Sequence, residues 1–191
     1  SDVCSSDLGG TIANITALWA ARNKLLSGRD GKPSVAEVGF SEALQERDLR
    51  GLALLVSRRG HYSLAKAANL LGIGQKYAIR IATDHNQKIN ISALQSEIRE
   101  LRRKKIGILA IVGIAGTTET GNVDPLSELA SIAKGEGCHF HVDAAWGGPT
   151  LFSNHHRKLL RGIEEADSVC FDAHKQLYCP VGAGMVLFKS P

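Results

Sequence analysis

The feature that most constrains this chain is an alternation. Short runs rich in apolar and β-branched residues, many of them ended by glycine, hydroxyl or charged residues, are separated by segments with helical periodicity. Strand-like runs lie at 52–56, 77–82, 106–115, 138–143, 168–172 and 182–188. Helix-period segments lie at 11–26, 62–71, 92–104 and 125–136. Leu94, Ile98 and Leu101 make an apolar stripe at steps of four and three, with charges on the opposite face. Asp124-Pro125 offers an N-cap and a first-turn proline to the last helix. Strands that alternate with helices need crossover connections. The sequence therefore predicts an α/β fold with a mostly parallel sheet flanked by helices on both faces. The stretch 27–50, with Gly28, Gly31, Pro33 and Gly39, reads as a surface excursion. Residues 1–8 show no clear periodicity, and the last strand runs straight into Lys189-Ser190-Pro191. Both ends read as cut, so we expect a piece of a longer chain.

Composition removes several alternatives. Of 191 residues, 43% are hydrophobic and 22% charged, which excludes an intrinsically disordered chain. Lys+Arg 23 against Asp+Glu 19 gives a net charge of +4. The basic residues are scattered apart from Arg102-Arg103-Lys104-Lys105, so we expect no nucleic-acid partner. The longest apolar run, 108–112, is far too short to span a bilayer, and we read no signal peptide at the start. Cys4, Cys138, Cys170 and Cys179 are irregularly spaced and form no CxxC pair. We expect free thiols and a reducing, cytoplasmic setting.

Five short motifs carry chemistry, and each has a plainer reading when taken alone. Lys175 follows a strand in Asp172-Ala173-His174-Lys175; an amine there can form a Schiff base with an aldehyde, or be a surface lysine. Asp143 ends a strand in His141-Val142-Asp143-Ala144-Ala145; it can hold a cationic ring nitrogen or cap a helix. Gly9-Gly10-Thr11 opens a helix, where free N–H groups attract an anion such as phosphate. His61 sits between a strand and a helix, placed to stack on a flat ring or to face solvent. Gly116-Thr117-Thr118 follows a strand with hydroxyls that serve a ligand or a turn. All five fall at carboxyl ends of predicted strands or at helix starts, and in a parallel sheet those ends share one edge. An anion cradle, a stacking imidazole, a carboxylate and a lysine match the parts of pyridoxal phosphate.

The motifs also resemble those of the group II pyridoxal-phosphate-dependent amino acid decarboxylases, in the family's order and at similar separations. Gly9-Gly10-Thr11-Ile12-Ala13-Asn14, His61-Tyr62-Ser63, Gly116-Thr117-Thr118, His141-Val142-Asp143-Ala144-Ala145 and His174-Lys175 carry the resemblance. It runs from about residue 9 to the end. Trp146-Gly147-Gly148 leans toward the glutamate decarboxylase-like branch. Within it, segments 113–122 and 182–189 resemble the bacterial members that act on aspartate.

The resemblance implies a partial large domain of the fold type I class over 9–191, with residues 1–8 outside the match. It implies that Lys175 holds the cofactor's aldehyde and Asp143 pairs with the ring nitrogen. His61 would stack on one ring face and Ala145 pack on the other. Gly10, Thr11 and His174 would hold the phosphate, and Thr118 would lie near the phenolic oxygen. Asp172 stands where some relatives carry asparagine, and a carboxylate would oppose a phosphate, so it receives no binding role. The implied reaction is decarboxylation of L-aspartate to β-alanine, with glutamate or another L-amino acid as the alternative, in a homodimer of the full-length protein. A different expectation comes from the strand period. His139, His141 and Asp143 share one face, and two histidines with a carboxylate can ligate a transition metal.

Overall fold

The computed structural model describes residues 3–6, 9–29 and 31–190, the first of these segments by its backbone alone. The strands are β1 (Val3–Ser6), β2 (Gly51–Ser57), β3 (Ala78–Ile81), β4 (Ile106–Ile114), β5 (His139–Asp143), β6 (Ser168–Asp172) and β7 (Gly184–Phe188). The helices are α1 (Gly10–Leu25), α2 (Val35–Gln45), α3 (Ser63–Leu70), α4 (Ile91–Arg103) and α5 (Leu126–Glu136). All six predicted strands and four predicted helices form, with ends moved by at most two residues.

The strands make one sheet in the order β1-β7-β6-β5-β4-β2-β3. β3, β2, β4, β5 and β6 are parallel neighbours, and β7 runs against both β6 and β1. Helical crossovers dictate the parallel part, since a strand pair joined through a helix must point the same way. β7 follows β6 through a short irregular loop and so turns back beside it.

β2 shows why both faces are covered. All seven of its residues are buried. Leu52, Leu54 and Val56 pack under α1, α2 and α3, while Ala53 and Leu55 face α4 and α5. The predicted stripe on α4 is buried as expected at Leu94, Ile98 and Leu101, and Asn90 caps the helix by accepting from the Ala93 amide at 3.0 Å.

Three expectations need correction. The 27–50 excursion contains α2, which buries Val35, Ala43 and Leu44 in the core. Its glycines and proline hid a capping box: Glu37 accepts from the Ser34 amide at 2.8 Å, and the helix is broken at Gly39, whose φ is 79°. Asp124 is not the N-cap of α5. Its buried carboxylate instead accepts from the amides of Ile89 and Ile114 at 2.8 and 2.9 Å, tying the loop before α4 to the end of β4. The third is β1, whose four residues pair with β7 through the backbone, a contact that side-chain periodicity does not signal.

Candidate active site

The carboxyl ends of β2, β4, β5 and β6 meet the N-terminus of α1 around one cavity of about 440 Å³. Gly10, Thr11, His61, Thr118, Asp143, Ala145, His174 and Lys175 all line it. This follows from topology: parallel strands put their following turns on one edge, and α1 begins at that edge beside β6 and β7.

Asp143, the last residue of β5, lies buried at the cavity wall. Three donors converge on its carboxylate. Asn14 Nδ2 donates to Oδ2 at 3.1 Å, and the Ala145 amide and Cys170 Sγ donate to Oδ1 at 3.2 and 3.1 Å. Burial, with the Asp143 charge adding to it, pushes the Cys170 thiol well above its ordinary value, so Cys170 stays a donor. Acceptors are absent from this described set, which suits an ionised carboxylate.

His61 is half-buried after β2. Its Nδ1 lies 2.9 Å from Ser63 Oγ and accepts from the Ser63 amide at 3.3 Å. Burial pushes its pKa down, against the nearby Asp143 charge and with the help of Lys175. The ring is therefore neutral at neutral pH, with its proton on Nε2.

Lys175 follows β6, and its Nζ sits 2.9 Å from Asp172 Oδ2. Asp172, given no phosphate-binding role by the sequence, is 1% exposed, pairs with the lysine, and lies 3.7 Å from His174 Nε2. The ion pair is not legible in the sequence, because it depends on the lysine three residues on folding back over the strand end.

The α1 start has no acidic residue and no side-chain cap. Helix bonding to Gly9 begins with the amides of Ile12 and Ala13, leaving those of Gly10 and Thr11 directed at the cavity edge. Gly10 is required by close packing, since a Cβ there would stand 2.8 Å from Asp172 Oδ2 and 3.1 Å from Ala145 Cβ. His174 lines the same cavity, and its buried Nδ1 has no hydrogen-bond partner. On the β4 side, Thr117 is buried and bonds Thr120, leaving Thr118 exposed at the rim.

The metal expectation fails. Among the described residues no group of three or more His, Cys, Asp or Glu side chains could hold a metal ion. The ring nitrogens of His139 and His141 lie against Ser168 Oγ at 2.7 and 2.8 Å, and His141 Nε2 against Asn14 Oδ1 at 2.8 Å. Three of the four nitrogens are thus spent on hydrogen bonds. Burial pushes the pKa of both rings well below the ordinary value, outweighing the carboxylates nearby. An unfolded chain takes up protons on these rings near pH 6.5 while the folded one resists, so their contribution to stability is complete above that pH and falls below it. We expect the urea midpoint to fall between about pH 7 and about pH 5, with a shallower slope in His139→Gln. Equal slopes in the two proteins would refute this.

A chain with this sheet, and with a lysine, a buried carboxylate and a helix N-terminus around one cavity at one edge, has the build of a pyridoxal-phosphate enzyme. The model of the pyridoxal-dependent decarboxylase conserved domain matches residues 3–191, and the chain belongs to that family. It is 59% identical over 183 residues to the aspartate 1-decarboxylase of Aliivibrio fischeri, covering 96% of this chain and 34% of that protein. It is 35% identical to the L-2,4-diaminobutyrate decarboxylase of Rhizobium meliloti, covering 95% of this chain and 32% of that one. The crystal structure of mouse CSAD superposes with a TM-score of 0.89 at 32% identity, over all of this chain and 37% of that one. The chain thus spans about a third of the length of these relatives.

The residues present fit the cofactor. Three donors hold a buried carboxylate that would suit a cationic ring nitrogen, a primary amine lines the same cavity, and His174 lies beside a helix N-terminus that would suit a phosphate. Asn14 stands in the motif that opens α1, but the sequence reading gave it no role. Its signal was present: a polar side chain among Ala13, Ala17 and Leu18, one helical turn after Gly10.

Proposed function

We propose that the protein carrying this chain is a pyridoxal-phosphate-dependent carboxy-lyase that converts L-aspartate to β-alanine and carbon dioxide. The observation that carries the reading is that Lys175 and Asp143 line one cavity. Bound pyridoxal phosphate supplies an aldehyde that condenses with amines and a ring that, protonated on nitrogen, accepts the electron pair left when a carboxylate departs.

The chain's own residues do the rest. Asp143 holds the proton on the ring nitrogen, which is what makes the ring an electron acceptor. Lys175 would hold the cofactor's aldehyde. The neutral His61 ring would stack on the cofactor ring, with Ala145 packing against it. The Gly10 and Thr11 amides and His174 would hold the phosphate, and Thr118 would serve the phenolic oxygen. Developing charge is met by fixed groups in a partly closed cavity, where such contacts count for more than in water.

Aspartate is favoured over glutamate or other amino acids by the higher identity to the aspartate 1-decarboxylase than to the diaminobutyrate enzyme. The test is carbon dioxide release by the full-length protein against a panel of L-amino acids. Aspartate should give the highest kcat/KM, and a higher value for any other member would overturn the substrate assignment.

A homodimer is proposed as well. Val181, at the cavity wall, and Tyr178 nearby are 94% and 92% exposed, an apolar rim suited to cover by a second copy. No helix among the described residues is long and apolar enough to cross a membrane. Together with the free thiols of Cys138, Cys170 and Cys179 this supports a cytoplasmic setting. We expect residues 1–191 on their own not to turn over substrate.

A further inference from the structure

A run of buried polar groups lies on the α1 face of the sheet, along β5 from its first residue to its last. His139 Nε2 meets Ser168 Oγ at 2.7 Å, and Ser168 Oγ meets His141 Nδ1 at 2.8 Å. His141 Nε2 meets Asn14 Oδ1 at 2.8 Å, and Asn14 Nδ2 donates to both Asp143 Oδ2 and Ser63 Oγ at 3.1 Å.

Hydrogen-bond arithmetic leaves one arrangement of protons. The Asp143 carboxylate only accepts, so the Asn14 amide nitrogen must face it and the Asn14 oxygen must accept from His141. His141 therefore carries its proton on Nε2. Its ring is wholly buried and neutral, so Nδ1 must accept from Ser168. Ser168 has a single proton, so it accepts in turn from His139 Nε2. On the other branch Ser63 accepts from Asn14 and donates to His61 Nδ1. Every donor in the chain points the same way, an alignment in which each bond polarises the next.

We propose that Asn14 is a positioning residue: it is the branch point of a one-way hydrogen-bond chain from His139 that orients the Asp143 carboxylate and, through Ser63, sets the proton of His61 on Nε2. One α1 side chain thereby holds both groups that flank the ring, the one at its nitrogen and the one on its face. This rests on the pyridoxal phosphate reading above, but the proton positions do not.

Two experiments on the full-length protein separate these. NMR of the apo protein labelled with 15N-histidine, assigned by removing one histidine at a time, should show His139, His141 and His61 all protonated on Nε2 at neutral pH. A proton on Nδ1 of His141 overturns the chain whether or not cofactor binds. In the holoenzyme, Asn14→Leu should lower kcat roughly 10- to 100-fold, the usual loss when a group that orients a first contact is removed. It should also shift the pH dependence of the bound cofactor's absorbance, with little change in KM. Ser168→Ala, small and two residues removed from Asp143 in the chain, should shift the same absorbance in the same direction and should fold even if Asn14→Leu does not. His141→Gln, whose amide can still donate to Asn14, should restore most of the kcat that His141→Leu loses. Wild-type absorbance and pH profile in Ser168→Ala, or equal losses in the two His141 variants, would overturn the proposal.

Discussion

Lys175→Ala in the full-length protein is expected to abolish the absorbance band of the lysine–cofactor linkage and to lower kcat by a factor on the order of 10³ or more, since no other primary amine lines the cavity among the described residues. The substitution also strips Asp172 of its 2.9 Å partner, leaving a buried carboxylate with only His174, at 3.7 Å, beside it. Lost activity could then reflect local rearrangement. Lys175→Arg separates the two effects: a guanidinium keeps positive charge beside Asp172 but does not form the Schiff base. Both variants should be inactive, and the arginine variant should match the wild type in thermal stability more closely. Turnover in either one at more than about a tenth of the wild-type rate would sink the assignment of Lys175.

Asp143→Asn is expected to have the next largest effect. The three donors that converge on Asp143 are arranged for a charged acceptor, and an amide can neither repay them nor hold a proton on a ring nitrogen. Removing one partner of a buried charge pair costs about 3–5 kcal/mol. Expressed in the transition state, that is a fall in kcat of roughly 10²- to 10⁴-fold. The cofactor should still attach, because Lys175 is untouched, so the linkage band remains while turnover falls. A variant that keeps kcat within about threefold of the wild type would show that ring protonation does not depend on Asp143.

Much of this could be read from the chain because it is local or periodic. The stripe of Leu94, Ile98 and Leu101 announces α4, and β2 is a run of apolar residues because both its faces are covered. The cluster of cavity-lining residues was legible for a topological reason. Once strands are parallel, whatever follows each of them lands on one edge, so Gly10, His61, Asp143 and Lys175 meet although they are scattered over the sequence. What escaped was local in sequence but decided elsewhere. Asp124 has every local mark of an N-cap, yet the amides of Ile89 and Ile114 outbid the helix for its carboxylate. Residues 27–50 carry the breakers of a loop, yet the Ser34–Glu37 box starts a helix that the core then holds.

The amino-acid order by itself determined the alternation of elements, the sheet's parallel sense and the side chains that reach its ligand-binding edge, because these depend on periodicity and on the geometry of crossovers. Folding in three dimensions decided the partners. Asn14 lies 127 residues from His141 and 129 from Asp143, and His141 lies 27 from Ser168. Hydrogen bonds reach about 3 Å and leave no periodic trace in the sequence, so which donor meets which acceptor is settled only when α1 packs across β5 and β6.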